Sequence, residues 1–232
     1  MSEVLNLREE LQVDQKLEKI WSQYFNDEIN TIAPLYQEEM IKNSVTFLSL
    51  NPSLRPNNDA VLDFKPQTYP MIDCKKDIKV EKIPFFHKFY EIGENVKQPW
   101  ALLDLLYERD SDQNNLELKY NPKTISGKDK KFLQSQIKLT FEILEKLNPK
   151  VVVVSNSGTE KFIHSNLSDL GFIQEFPNEA NNFIYRINRI PFIINESKFL
   201  GSPQWYNRSK KNDNDKWRIE KLNNEILRVI NS

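Results

Sequence analysis

The chain has 232 residues with 32 Lys and Arg against 33 Asp and Glu, a formal net charge of -1, so global charge does not mark a nucleic-acid or membrane-surface binder and leaves only a local basic face open. One cysteine, Cys74, excludes an intramolecular disulfide framework, and with only His87 and His164 beside it no typical zinc or four-cysteine iron–sulfur site is available; no metal and no cofactor are expected. The opening MSEVLNLREELQ lacks an apolar signal core and no stretch approaches the roughly 18 apolar residues that span a bilayer, so a soluble, cytoplasmic, monomeric protein is expected.

Residues 3 to 27 carry Leu5, Leu11, Leu17, Ile20, Trp21 and Phe25 among charges, a helical period interrupted near Val13. A second short helix is expected over Ile29 to Met40, so that helices occupy residues 1–40. Val45 to Leu50 reads as a strand that ends at Asn51-Pro52. The Pro- and Asn-bearing segment that follows, to about Phe86, reads as a long functional loop. WALLDLLY, residues 100–107, fits either a buried strand or a helical turn.

Between residues 128 and 147, Phe132, Leu133, Ile137, Phe141, Leu144 and Leu147 share one helical face, which Pro149 closes. VVVV at 151–154 is a central strand, followed by a helix capped by Ser157 or Thr159. NFIYRINRIPFIINES alternates about an Asn188-Arg189 turn and predicts two adjacent strands, and DKWRIEKLNNEILRVI predicts a closing amphipathic helix. Strands separated by helices imply an α/β fold, a three-layer α/β/α sandwich with a mostly parallel central sheet, in one domain spanning 1–232.

Ligands of an open parallel sheet bind beyond the carboxyl ends of its strands. Here those ends are Asn51-Pro52-Ser53, Asp104 and its successors, Ser155-Asn156-Ser157, and Glu196-Ser197-Lys198 leading to Gly201-Ser202-Pro203. They contain no Gly-rich phosphate loop, no Ser/His/Asp order and no paired carboxylates at helical spacing, which disfavours hydride transfer, kinase chemistry and triad hydrolysis.

The order of these motifs resembles the uracil-DNA glycosylase superfamily over roughly residues 41–230. In that family a first strand ends in Gly-X-Asn/Asp-Pro; LSLNPS supplies Asn51 and Pro52, with Ser49 in the glycine position. The family's middle strand follows a Leu-X-Pro-Lys helix end, matched by EKLNPKVVVVSNSG. Its last strand, often preceded by a hairpin like YRINRIPFII, runs into a His-Pro-Ser loop that enters the minor groove. NESKFLGSP stands there instead, without the histidine.

The resemblance implies a monofunctional DNA glycosylase, with DNA as partner. Asn51 would position the water that attacks C1′, since an amide orients water for an oxocarbenium-like sugar that needs little nucleophilic push. Leu50 and Ser53 would border the base, Ser53 leaving room at C5, and Phe85 or Phe86 would stack on it. Asp104 would take the place of the family's base-reading Asn; an ionised carboxylate only accepts, which suits cytosine N4 and so points to a 5-substituted cytosine, with repair or defence against phage carrying modified DNA as the setting.

Lys198 would offer a charge in place of the histidine and Phe199-Leu200 an apolar wedge. Ser197, Ser202 and Arg208, with Lys128, Lys130, Lys131, Lys210 and Lys211, would grip phosphates. Each assignment has an ordinary structural counterpart: a strand-exit turn for Asn51, core packing for the phenylalanines, a helix cap or wet surface for Asp104, and solvated lysines. The alternative function is a DNA-binding module that has kept the fold and lost turnover.

Overall fold

The computed structural model describes residues 3–25, 32–52, 65–69, 84–110, 112–121, 123–154, 157–164, 173–174, 182–187, 189–195 and 213–232. The chain enters in a short strand, β1 (Val4–Asn6), rather than a helix. The Asn6 side chain then caps α1 (Leu7–Leu11) by accepting from the Glu9 N–H. Gln12, left-handed at φ 53, ends that helix, and α2 (Val13–Phe25) begins at the next residue. The interruption near Val13 is thus a capped helix end.

Over the described residues 32–40 the helix expected for Ile29 to Met40 is not formed. Leu35–Gln37 is strand β2 and Glu39–Ile41 is strand β3. Pro34 explains the error, because it lacks an N–H and disfavours helical geometry at the residue before it. β3 pairs antiparallel with β1, Val4 opposite Ile41. β2 pairs in parallel with β5 (Gln67–Tyr69), which lies inside the segment expected to be an irregular loop.

β4 (Val45–Ser49), α3 (Pro84–Val96), β6 (Trp100–Asp104), α4 (Gln113–Lys119), α5 (Gly127–Leu147), β7 (Val151–Val154), α6 (Ser157–His164), β8 (Ile173–Gln174), β9 (Asn182–Ile187), β10 (Ile190–Asn195) and α7 (Asp213–Asn231) follow. The central sheet has the order β6-β4-β7-β10-β9-β8. Its first four strands run parallel, and β9 and β8 continue it antiparallel, so the protein is α/β with a mostly parallel sheet. WALLDLLY resolves into a strand that ends at Asp104 and bends at Leu105, and the expected hairpin forms with Ile187 opposite Ile190. Thr159 lies within α6 rather than capping it.

Alternate residues of each central strand enter different apolar clusters, as the period of two requires. Leu48, Val152, Val154, Phe192 and Ile194 pack with Leu133, Ile137 and Leu144 of α5. Phe47, Val151, Val153 and Ile193 pack with Phe89 and Ile92 of α3 and with Ile219, Leu222 and Ile226 of α7. α5 ends on Asn148, left-handed at φ 47, whose N–H reaches the Leu144 carbonyl; Pro149 follows that cap.

α3 fixes the geometry at one edge. A Cβ placed on Gly93 would stand 2.5 Å from Trp100 Cδ1, so only glycine lets the helix lie this close to the start of β6. One turn earlier Phe89 packs on Phe47 of β4, ring centroids 4.6 Å apart. The helix therefore runs against the strands, and its first turn, which carries Phe85 and Phe86, sits toward their carboxyl ends.

Candidate functional site

Polar residues in the apolar runs FLSL and WALLD meet across one strand pair. Ser49 of β4 and Asp104 of β6 are register partners, and both side chains are buried. The Ser49 hydroxyl donates to Asp104 Oδ1, and the Tyr69 hydroxyl of β5 donates to the same carboxylate. Burial pushes the Asp104 carboxyl up to about 6, while the two hydrogen bonds favour its charged form and hold it back. The Tyr69 phenol is pushed well above its ordinary value by burial and by the neighbouring Asp104 charge. Asp104 is therefore neither a helix cap nor a wet surface residue. It ends a strand inside the protein.

Beyond Ser49 the strand ladder continues: the Leu105 N–H donates to the Ser49 carbonyl and the Leu106 N–H to the Leu50 carbonyl, each at 2.8 Å. Leu50 is buried in the core rather than standing free beside a ligand. Asn51 is half-buried, and its Nδ2 lies 3.1 Å from the Pro52 carbonyl, 3.3 Å from that of Glu108 and 3.1 Å from that of Asp110. An amide has two N–H protons, so three carbonyls saturate its donor side and fix its rotation. Oδ1, an acceptor only, is held at the opposite edge of the planar amide.

The segment after β6 is clamped from α5. Gln136 Oε1 accepts from the N–H groups of Tyr107 (2.8 Å) and Glu108 (3.1 Å). One turn on, the Thr140 hydroxyl donates to the Leu105 carbonyl at 2.9 Å and meets the Tyr107 hydroxyl at 2.9 Å. Lys119 Nζ and the Tyr120 hydroxyl hold the Glu108 carboxylate. Glu108, one of the residues whose carbonyls receive Asn51, is thus anchored through both its N–H and its carboxylate.

β5 crosses this exit and presents two residues of one face to it. Tyr69 reaches Asp104, and two positions earlier Gln67 Oε1 accepts from Arg109 Nη1 at 3.1 Å. Arg109 is 7% exposed and its Nε has no hydrogen-bond partner. Burial pulls its guanidinium below its ordinary value.

Sequence reasoning placed Asn51 at a strand end, and Asp104 at another if WALLDLLY is a strand; in the structure those two strands, β4 and β6, are neighbours. The backbone of Phe85 and Phe86 lies in the first turn of α3. Ser53, Ser197, Lys198, Phe199, Leu200, Ser202, Arg208, Lys210 and Lys211 lie outside the described residues. Tyr69, Gln67 and Arg109 were missed as site residues. Ser49 carried a signal, as a hydroxyl in an apolar strand, whereas the approach of β5 has none in the sequence. Among the described residues no three His, Cys, Asp or Glu side chains gather as metal ligands, and no helix is long and apolar enough to cross a membrane. No protein-family model, curated protein or solved structure matches the chain.

Proposed function

We propose that the protein is a monofunctional DNA glycosylase of the uracil-DNA glycosylase type, a single α/β/α three-layer domain acting as a monomer in the cytoplasm. The observation that carries the reading is the Asn51 amide, locked by three backbone carbonyls so that its acceptor oxygen is presented in one orientation. Such an oxygen holds a water against a sugar that ionises as the base departs; positioning, not basicity, is what this step needs. Asp104 reads the base. With its carboxyl titrating near 6 it is mostly ionised at neutral pH and accepts from an exocyclic amine, which selects cytosine and its 5-substituted forms over uracil.

Placement of positive charge supports DNA as the partner. Lys128, Lys130 and Lys131 lie in the first turns of α5, where the helix dipole already supplies partial positive charge and lysine is locally unfavourable. α5 leads back into parallel strand β7, so this end of it stands toward the carboxyl ends of the strands. Phe85 or Phe86 supplies the stacking face. Ser197, Ser202 and Arg208 grip phosphates, Phe199-Leu200 fills the gap in the stack, and Lys198 supports the departing base.

The test is abasic-site formation, read by alkaline strand cleavage, on DNA carrying uracil, a thymine mismatch, or plain, hydroxymethylated and glucosylated cytosine. Cleavage of a cytosine substrate, reduced at least 100-fold in Asn51→Ala, is the expected result; no cleavage of any substrate by folded wild type would sink the proposal. The absence of histidine from NESKFLGSP favours a second reading, a DNA-binding module without turnover. Retained DNA binding with no abasic sites would select it.

A further inference from the structure

Arg109 has the features of a binding residue. A guanidinium carries five N–H donors in a rigid plane and stays charged at any physiological pH. Here it is more than nine-tenths buried and, among the described residues, makes one hydrogen bond, to the neutral Gln67 amide, and leaves Nε without a partner. Among the described residues no carboxylate is ion-paired with it. A buried cation without a counter-charge is costly, and a fold keeps one where an anion completes it.

Its place indicates which anion. Arg109 sits between the two residues, Glu108 and Asp110, whose carbonyls hold Asn51, so its backbone is anchored to the water-positioning amide. Its side chain meets the same face of β5 that brings Tyr69 to Asp104. One strand face thus ties the cation to the base-reading carboxylate. A nucleotide extruded into this site carries a phosphodiester on each side of its sugar, and the planar fork of arginine matches two phosphate oxygens at once.

We infer that Arg109 binds a backbone phosphate of the extruded nucleotide, an inference that rests on the nucleic-acid reading of the site. Gln67 holds the guanidinium in orientation through Nη1; Nε is buried and unpartnered among the described residues, so the phosphate reaches it by displacing what covers it.

The experiment measures binding of a fluorescent oligonucleotide by anisotropy across a salt series, for wild type, Arg109→Met and Arg109→Lys, beside abasic-site formation on the same DNA. Removing one phosphate contact should weaken binding of Arg109→Met about tenfold or more and lower the slope of log K against log salt by ~0.7 to 0.9. Arg109→Lys should keep the slope and lose part of the affinity. Methionine relieves an uncompensated buried charge, so thermal melting of Arg109→Met without DNA should occur at or above the wild-type temperature. If that variant fails to fold, the lysine variant decides: unchanged affinity overturns the inference.

Unchanged affinity and slope in folded Arg109→Met also overturn it, as does absence of DNA binding by wild type. Abasic sites with no Arg109 effect would leave the glycosylase reading standing and remove the phosphate contact. A lost slope without abasic sites would do the reverse.

Discussion

Asp104→Asn tests whether a carboxyl is truly sequestered at the strand ends. Asp104 is 7% exposed and its carboxyl is raised from 3.8 to about 6. The folded protein therefore holds this proton more tightly than the unfolded chain does. Stability from Asp104 is complete below the ordinary value and is lost as pH rises through about 6. The gap between 3.8 and about 6, at about 1.36 kcal/mol per pH unit, gives about 3 kcal/mol in all. Exposure is too small for solvent screening to reduce it much.

Asparagine cannot ionise, so its effect on the hydrogen bonds with Ser49 and Tyr69 is constant with pH and drops out of the comparison. Urea unfolding of wild type and Asp104→Asn between about pH 4 and about pH 8 should show the difference moving by 2 to 3 kcal/mol in the variant's favour, mostly below about pH 7. Parallel curves over that range would refute the argument and show that the carboxyl is solvated. The same titration predicts that excision of an amino-bearing base rises with pH through about 6 in wild type, which single-turnover rates would read.

Asn51→Asp should be poorly tolerated, because a carboxylate cannot donate to the carbonyls of Pro52, Glu108 and Asp110. We expect a loss of about 1 to 3 kcal/mol at neutral pH by urea unfolding, partly recovered in acid where the carboxyl regains a proton. Gly93→Ala should cost about 1 to 3 kcal/mol, since the added methyl meets the Trp100 ring and the α3 backbone must move away from β6. A thermal melt reads the loss, and tryptophan fluorescence reports the displaced ring.

The sequence by itself determined the repeating α/β architecture. VVVV, FIYRI and PFIIN are too apolar and too β-branched to be other than inner strands, and the α5 stripe of Phe132, Leu133, Ile137 and Leu144 could face only a core. It also located Asn51, and Asp104 on the condition that WALLDLLY is a strand, because a polar residue closing an apolar strand stands at the sheet's carboxyl edge whatever the remaining topology. Register then decided what these residues are. The pairing of Ser49 with Asp104 turned a strand-end carboxylate into a buried acid, and no local pattern specifies which strands become neighbours.

The remainder depended on contacts between distant segments. Leu35–Gln37 carries a pattern compatible with helix and becomes a strand because Gln67–Tyr69 lies beside it. That pairing positions Gln67 against Arg109 and Tyr69 against Asp104. The contacts of Tyr69 and Arg109 were invisible in the sequence for a physical reason: burial and partnership arise when the chain closes on itself, and they change a side chain's chemistry without changing its letter.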